Sequence, residues 1–429
     1  MYISVKEAME KEGEEVNIRG WCYRERKSNK FVFIVLRDSS DIIQCVVNKD
    51  KVDEKTWNTA NNIMIEASVR LSGVVRKDER APTGYEIDVK TLELVGEGGV
   101  FPITKDQSQE FLLDVRHLWL RSRKLTAVMK IRSTVFEAVD EFFRSRGFYE
   151  TAPPIFTPNA CEGGATLFKV KYFDDTVYLT QSWQLYAEAM IASLEKIYCN
   201  SPCFRAEKSK TSRHLAEFYM TEMEMAWAGL DDVMKHAEEL VSFIVKRVLD
   251  KNRQELEILK RDASKLENIR VPFPRITYTE ALKILEEKEG MKIKWGKDLR
   301  TIEEDLLMRH FNSPVMVTHY PKEIMAFYKP KDPDNLKVAL CFDMLAPEGY
   351  GEIVGGSQRE TDIEELKNDL KKQGEKTERY EWYLDTRRHG SVPHAGFGMG
   401  VERVVAWLCG LDNIKDAIPF PRTMLRKNP

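Results

Sequence analysis

The features that would place this chain in a disulfide-rich, zinc-binding or membrane class are missing from its 429 residues. Its seven cysteines form no Cys-x-x-Cys pair and no regular framework, which argues against a structural zinc site and for a reducing compartment. No apolar run reaches about 18 residues, and the N-terminus lacks a signal-peptide pattern. We therefore expect a soluble, cytoplasmic protein with no membrane segment.

An excess of charge of one sign is missing as well. The formal net charge is −3, although 31% of the residues are charged. No overall basic field favours nucleic acid, so any contact with RNA must come from local patches. The length leaves room for two or three domains, one of them large enough for a substantial core.

Residues 1–100 have the pattern of a small β-barrel. Five runs rich in β-branched and aromatic residues, at 16–22, 30–37, 42–48, 63–75 and 85–94, are separated by turn signals. Five strands in this length are typical of an OB-fold, a common binder of oligonucleotides. The basic residues around the first strand connection fit either phosphate contacts or an ordinary polar turn.

The most informative stretch is CFRAEKSKTSRHLAEFYMTEME, at residues 203–224. Its pattern predicts two antiparallel strands joined by a basic loop, with Arg205 and Glu207 on the same side of the first strand. A guanidinium can hold phosphate oxygens through two parallel hydrogen bonds and keeps its charge at any working pH. The residues alone fit a phosphate site and a solvated charged hairpin about equally well.

A second informative stretch is LCFDMLAPEGYGEIVGGSQR, at residues 340–359. Two predicted strands place Asp343 and Glu352 across a loop, where their oxygens could share a hard divalent cation. The GFGMG run at 396–400 has no βαβ unit around it, so we do not interpret it as a dinucleotide site. Residues 230–314 are expected to be helical scaffold with solvated charged faces, including a helix that Thr279 caps.

Three segments together resemble the motifs of the class II aminoacyl-tRNA synthetases. GFYETAPPIFTP at 147–158 is similar to motif 1, FRAE and RHLAEF at 204–218 to motif 2, and PHAGFGMGVER at 393–403 to motif 3. Their order and spacing follow the family, and the likeness extends over nearly the whole chain. It points to the aspartyl, asparaginyl and lysyl subgroup, in its archaeal and eukaryotic form.

The resemblance implies an α+β protein, in which an N-terminal OB-fold β-barrel precedes a class II synthetase catalytic domain built on an antiparallel β-sheet flanked by helices. We expect an anticodon-binding barrel at 1–100, a hinge at 101–125 and the catalytic domain at 126–429. Motif 1 would cover about 126–158, motif 2 203–224 and motif 3 393–410. From about residue 114 to 146, apolar residues recur at spacings of three and four, which predicts a helix. In the family, this helix and the strand after it build the dimer interface, which implies a homodimer; a buried core helix is the alternative.

The resemblance also implies a reaction, in which an amino acid carboxylate attacks the α-phosphorus of ATP and the aminoacyl group then passes to tRNA. Arg205 would contact the α-phosphate, and Arg403 would contact the γ-phosphate and the adenine face. The other implied roles are ATP binding by Glu207, Arg213, His214, Phe218 and Glu352; Mg²⁺ binding by Asp343 and Glu352; amino acid binding by Glu162, Ser182, Gln184, Ala187, Glu222, Ser357 and Arg359; and anticodon binding by Arg26, Phe33 and Gln44.

Two positions of the amino acid pocket favour asparagine over aspartate. By resemblance, aspartyl enzymes carry a Lys where this chain has Ala187 and an Asp where it has Glu222. A neutral amide needs a donor and an acceptor, which Arg359 and Glu222 can supply. Aspartate would set its carboxylate against Glu222 with one cation missing. The expected partners are therefore L-asparagine, ATP and tRNA(Asn), with Mg²⁺ as cofactor.

Other functions stay open from the sequence. An aspartyl-tRNA synthetase that acts on one or both tRNAs is the nearest alternative, because Phe33 and Gln44 do not separate the two. An asparagine synthetase built on the same catalytic domain is disfavoured, since a small-molecule enzyme has no use for the N-terminal barrel. A noncatalytic RNA-binding protein is disfavoured by the joint presence of the ATP-site residues.

Overall fold

The structure is a computed structural model that describes residues 1–161, 166–208 and 213–429. The chain forms two compact units, Met1–Leu113 and Asp114–Pro429. Among the described residues, no helix has both the length and the apolar character needed to cross a membrane. The domain boundaries expected from the sequence stay a prediction.

The first unit is a closed β-barrel of five strands in the spatial order β1-β2-β3-β5-β4. Successive side chains of a strand face opposite sides, so Val32, Ile34 and Leu36 of the second strand are all fully buried in the barrel. The elements of this unit are α1 (Val5–Met9), β1 (Glu15–Lys27), β2 (Phe31–Arg37), β3 (Ile42–Asn48), α2 (Glu54–Asn62), β4 (Ser68–Lys77) and β5 (Tyr85–Gly96), with α3 (Gln109–Asp114) at its end.

All five predicted strands are present, but the prediction of a strand from residue 63 was wrong. Helix α2 ends at Asn62, and β4 begins only at Ser68. The side chain of Asp53 caps α2 by accepting a hydrogen bond of 2.7 Å from the Thr56 amide. This capping signal precedes the apolar run and was missed.

The second unit is built on an eight-stranded sheet in the order β12-β13-β16-β17-β18-β11-β10-β6. The six central strands are antiparallel, and the two edge strands pair in parallel with their neighbours. The sheet strands are β6 (Tyr149–Glu150), β10 (Lys196–Phe204), β11 (Glu217–Ala226), β12 (Arg275–Thr277), β13 (Val315–Thr318), β16 (Cys341–Ala346), β17 (Gly351–Gln358) and β18 (His394–Gly400).

The remaining strands form two small sheets, and helices flank the large one. The small sheets consist of β7 (Phe156–Thr157), β8 (Lys169–Tyr172) and β9 (Asp175–Leu179), and of β14 (Lys331–Asp332) and β15 (Asn335–Ala339). The helices are α4 (Arg116–Trp119), α5 (Arg123–Arg144), α6 (Gln184–Leu194), α7 (Leu230–Lys251), α8 (Arg253–Ile258), α9 (Ser264–Glu267), α10 (Tyr278–Glu289), α11 (Thr301–Met308), α12 (Ile363–Lys372), α13 (Glu381–Arg388) and α14 (Val401–Cys409).

The long helix α5 shows how the sequence builds the core of this unit. Its apolar residues recur at spacings of three and four, which places them on one face. Val128, Ile131, Val135 and Val139 are all fully buried, in the same cluster as apolar residues of α7, α14 and the sheet. The helical pattern predicted for about 114–146 is therefore confirmed from Arg123 to Arg144.

The predicted cap of α10 was wrong by two residues. Thr277, rather than Thr279, is the N-cap: its hydroxyl accepts from the Glu280 amide at 3.2 Å, and Glu280 accepts from the Thr277 amide at 2.7 Å. This reciprocal pair is a capping box. Thr279 lies inside the helix, where its hydroxyl accepts from the Trp295 indole at 3.2 Å.

Candidate active site

Strand register places two acidic residues in one row across the sheet, with two glycines between them. Asp343 of β16 pairs with Gly355 of β17, Gly355 pairs with Gly398 of β18, and Gly398 pairs with Glu222 of β11. Residues that are directly opposite on neighbouring strands project from the same face of a sheet. The two carboxylates therefore rise from one face, and the glycines between them leave space for a ligand.

A cavity of about 580 Å³ brings together the residues expected to bind ATP. The guanidinium carbon of Arg205 lies 5.4 Å from the centre of the Phe218 ring. Arg403 donates from Nη1 to the backbone oxygen of Glu352 at 2.6 Å and to its Oε2 at 3.2 Å. Cations beside an aromatic face suit a nucleotide. The predicted residues that line this cavity are Arg205, Glu207, Arg213, His214, Phe218, Glu352 and Arg403.

His214 lies among these cations. Its Nε2 is 3.4 Å from Glu207 Oε2. Burial lowers the pKa of His214 below its usual value; Glu207 opposes this change, and Arg403 and Arg205 add to it. The lowered pKa favours the neutral imidazole, so the arginines supply the positive charge of the cavity.

The expectation that residues 230–314 are scaffold alone was wrong for their C-terminal part. Asp305 of α11 accepts two hydrogen bonds from Arg213 Nη2, at 2.8 and 3.0 Å. Burial, and then repulsion from Glu352, raises the pKa of Glu304 to about 7. Helical periodicity identifies a charged face but cannot show that a remote loop will lie against it, which is why these acids were missed.

Asp343 and Glu352 approach each other above Gly355. A Cβ atom added at Gly355 would lie 2.9 Å from Glu352 Oε1 and 3.4 Å from Asp343 Oδ1. Burial, and then repulsion from Glu352, raises the pKa of Asp343 well above its usual value. Oxygen ligands suit Mg²⁺, and a divalent cation would offset this repulsion, so the pair fits the ion expected from the sequence.

A second cavity of about 1050 Å³ adjoins the first. Four residues line both cavities, namely Arg205, Met220, Glu352 and Gly398. A ligand in one cavity would therefore meet a ligand in the other beside Arg205. The lining of the second cavity includes the predicted Ser182, Gln184, Glu222, Arg359 and Asp343, together with Asp298, Tyr328 and Lys329, which the sequence analysis missed.

The predicted amino acid ligands are themselves held by hydrogen bonds. Glu222 accepts from the Ser182 hydroxyl and, at 3.1 Å, from the Trp183 amide. Gln184 donates to Glu188 Oε1 at 2.9 Å. The bonds from Ser182 and Trp183 keep the Glu222 carboxylate in one orientation at the cavity, where it can accept from a ligand.

Other predicted amino acid ligands are not part of the described cavity lining. Ser357 is fully buried and accepts from Arg359 Nη1 at 2.8 Å. Ala187 is fully buried in an apolar cluster with Trp183 and Ile191. Glu162 lies outside the described residues. The charge of the pocket therefore involves more residues than Ala187 and Glu222, notably Lys329, whose ammonium opposes the rise in the pKa of Asp343.

Arg359 belongs to a buried ion-pair network. Its Nε and Nη2 donate to the two carboxylate oxygens of Glu224, at 2.9 and 2.8 Å. Burial lowers the pKa of Arg359, but Glu224 and Glu188 outweigh burial and raise it. Glu188 in turn accepts from Arg387 and, at 3.0 Å, from His394 Nε2. The guanidinium therefore keeps its charge at the edge of the cavity.

Sequence reasoning missed Glu188, although a local signal exists. It is the one charged residue of the mostly apolar helix α6, QLYAEAMIASL, and a buried charge requires a partner. Glu188, Glu224 and His394 offer ligand atoms within 4.8 Å of one another. Since two guanidinium groups already bind these carboxylates, we interpret the cluster as an ion-pair network and not as a metal centre.

In the first unit, the predicted anticodon residues lie on the outer side of the barrel. Arg26 and Phe33 are directly opposite on β1 and β2, and the guanidinium carbon is 4.7 Å from the ring centre. Gln44 of β3 lies diagonally across from Phe33 and donates to Glu86 Oε2 at 2.7 Å. An aromatic face, a cation and an oriented amide can together stack on and read an unpaired base.

Two family models match the two parts of the chain. Residues 108–424 match the family described as tRNA synthetases class II (D, K and N). Residues 16–95 match the OB-fold nucleic acid binding domain. The chain therefore belongs to the class II tRNA synthetases of this family, as its motifs predicted. The expected order of an OB-fold barrel followed by a class II catalytic domain is confirmed.

Within this family, the chain is more similar in sequence to two asparaginyl enzymes than to an aspartyl enzyme. The chain is 52% identical over 421 residues to the asparagine–tRNA ligase of Thermococcus kodakarensis, covering 98% of this chain and 97% of the relative. Its fold is similar to that of asparaginyl-tRNA synthetase from Pyrococcus horikoshii complexed with asparaginyl-adenylate, with a TM-score of 0.96, 47% identity and 100% of each chain covered. For aspartyl tRNA synthetase from Entamoeba histolytica the TM-score is 0.86 and the identity 26%, over 100% of this chain and 93% of that one.

Proposed function

We propose that this chain ligates L-asparagine to tRNA(Asn) through an asparaginyl-adenylate, consuming ATP and releasing AMP and pyrophosphate. The observation that carries the proposal is the meeting of two cavities at Arg205. One cavity has the cations and aromatic face that suit ATP. The other has the acceptor Glu222 and the donor Arg359 that suit a side-chain amide. The high identity to an asparagine–tRNA ligase supports the same conclusion.

The first step needs positioning more than proton transfer. The attacking carboxylate of asparagine is already an anion, so no protein base has to activate it. Two anions that repel each other must instead be held in line, and charge that develops on the α-phosphate oxygens must be stabilised. Arg205, at the junction of the cavities, serves both purposes. Arg403 and Arg213 bind the outer phosphates, and Phe218 and Arg403 enclose adenine while Glu207 accepts from its amino group.

Asp343 and Glu352 would hold Mg²⁺ beside the phosphates. When bound, the ion neutralises phosphate charge and orients the pyrophosphate leaving group. The two carboxylates would hold the cation, and Arg403 positions Glu352 through its hydrogen bonds. In recognition of the tRNA anticodon, Phe33 stacks on a base that Gln44 reads, and Arg26 adds a charged contact.

We further propose a cytoplasmic homodimer. All seven cysteines are free and buried, which suits a reducing compartment. Two apolar side chains of motif 1 are exposed in the single chain: Tyr149 at 59% and Phe156 at 49%. Light scattering of the purified protein should give a mass of twice 49.8 kDa. Phe156→Asp should favour the monomer, whereas Leu336→Asp, on a separate hairpin and 67% exposed, should not. A monomeric wild type would contradict the proposal.

Pyrophosphate exchange with asparagine or aspartate, followed by charging of purified tRNA(Asn) and tRNA(Asp), tests the function. We expect asparagine to be preferred by roughly a thousandfold in kcat/KM, because aspartate would leave carboxylates facing each other. Aspartate is the informative competitor, since Lys329 lines the same cavity and carries a positive charge. Equal exchange with the two amino acids would overturn the proposed substrate.

A further inference from the structure

The Glu188 side chain is completely buried beneath the amino acid cavity. It does not line the described cavity, but it reaches Arg359, which does: Glu188 Oε1 is 4.0 Å from Arg359 Nε. The same carboxylate accepts from Gln184 at 2.9 Å and from the Tyr383 hydroxyl at 2.8 Å. Glu188 can therefore act on a ligand in this cavity only through the residues that it contacts.

The network holds Glu188 in its charged form. Burial alone would raise the pKa of its carboxyl, but Arg387 and His394 outweigh burial and lower it. Arg387 is itself oriented by the backbone oxygen of Glu360, to which its Nε donates at 3.1 Å. A negative charge is therefore fixed behind Arg359, where little solvent screens it.

Arg359 consequently lies beside two carboxylates of the protein, those of Glu224 and Glu188. Glu224 takes two of its hydrogen bonds and Ser357 takes a third. A guanidinium has five N–H donors, so within the described part of the chain about two donors are left for a ligand. They keep their hydrogen-bonding capacity, whereas the positive charge behind them is offset by Glu224 and Glu188. An amide oxygen needs only the donor, but a carboxylate needs uncompensated charge.

We propose that Glu188 is a positioning residue that determines specificity through Arg359. Its charge reduces the attraction of Arg359 for a substrate carboxylate, and its position fixes the guanidinium for a substrate amide. This inference rests on the proposed function, because it concerns discrimination between asparagine and aspartate at the same site. It differs in that neither Glu188 nor its partners Arg387 and His394 line the described cavity.

Exchange kinetics of Glu188→Gln with both amino acids test the proposal. The variant keeps the shape of the side chain and removes its charge. We expect the ratio of kcat/KM for asparagine to that for aspartate to fall by about tenfold to a hundredfold. Tyr383→Phe is the matched control, since it removes one hydrogen bond to the same carboxylate and leaves the charges in place. Its ratio should stay within about twofold of wild type by the same reasoning.

Loss of the charge could unfold the chain, because Arg387 and His394 would lose their partner. Glu188→Asp then decides, since it keeps the charge but withdraws it from Arg359 by one methylene. We expect KM for asparagine to rise by about tenfold with kcat nearly unchanged, as for weakened ground-state positioning. The proposal is overturned by an unchanged KM in Glu188→Asp, by an unchanged ratio in folded Glu188→Gln, or by equal shifts in Tyr383→Phe. A wild type without asparagine-dependent exchange would instead overturn the proposed function itself.

Discussion

At the scale of single residues, Arg205 lies where the proposed ATP site meets the proposed amino acid site. It lines both cavities, and its guanidinium lies 5.4 Å from the Phe218 ring. Arg205→Ala should lower asparagine-dependent pyrophosphate exchange by at least about a hundredfold, because the charge that develops on the α-phosphate oxygens loses its stabilising partner. The thermal midpoint should change little, since the side chain faces a cavity.

Arg205→Lys is the matched comparison for this prediction. It keeps the charge but loses the planar fork, so it should restore only part of the activity. Near-normal exchange in Arg205→Ala would show that the α-phosphate is stabilised elsewhere.

Glu304 makes the stability of the fold depend on pH. Burial and Glu352 raise its pKa from the usual 4.5 to about 7. Below the lower value, both the folded and the unfolded chain bind the proton. Between the two values only the folded chain keeps it, so the free energy of unfolding falls as pH rises, and above about 7 the loss is complete.

Glu304→Gln should abolish this part of the pH dependence. Relative to wild type, the variant should gain on the order of 2 kcal/mol in the free energy of unfolding between about pH 5 and about pH 8. Urea unfolding at the two pH values measures the difference. Glu287→Gln, on the exposed side of α10, is the control and should show no such gain. A constant difference between variant and wild type would contradict the raised pKa.

At the scale of elements, β17 carries two adjacent glycines with different surroundings: Gly355 lies beside the proposed metal ligands, and Gly356 lies against core aromatic rings. A Cβ at Gly355 would meet only the carboxylate ends of Glu352 and Asp343, whereas a Cβ at Gly356 would lie 2.5 Å from the Phe342 ring and 2.8 Å from Phe397 Cβ. Gly355→Ala should therefore raise the Mg²⁺ concentration needed for half-maximal exchange by several-fold, because it separates the two ligands. Its thermal midpoint should stay close to that of wild type.

Gly356→Ala should behave in the opposite way. The added methyl group overpacks the core, which we expect to cost about 1 to 3 kcal/mol of unfolding free energy with no specific change in Mg²⁺ dependence. Titration of exchange activity with Mg²⁺ and thermal unfolding separate the two effects. If Gly355→Ala lost stability but kept the Mg²⁺ dependence of wild type, the metal assignment would be wrong.

At the scale of the whole molecule, the two units are proposed to serve different steps. Phe33→Ala should lower kcat/KM for charging of tRNA(Asn) by roughly tenfold or more, since stacking of one base on an aromatic ring contributes about 1 to 3 kcal/mol. Asparagine-dependent pyrophosphate exchange, which needs no tRNA, should not change. Tyr2→Ala, which removes another exposed ring beside an arginine, should leave both activities intact. An equal loss of exchange in Phe33→Ala would contradict this division.

Much of the fold was predictable because the relevant signals are local. Alternation of apolar residues located the strands of the barrel, and spacings of three and four located α5. Errors arose where one short signal competed with another: the cap of α10 was placed at Thr279 instead of Thr277, and α2 was missed before β4. In each case a hydrogen bond between a side chain and a backbone amide decided the boundary.

The sequence by itself determined the family, the order of the two units and the residues that meet around the first cavity, because these are carried by contiguous motifs whose residue types suit their chemistry. Only the tertiary structure decided which further charged residues lie next to these site residues. Glu188, Asp305 and Lys329 come from separate elements, and no local pattern links them to Arg359, Arg213 or Asp343. Electrostatic interactions act through space between residues remote in sequence, so the charge of the amino acid pocket became apparent only in the folded chain.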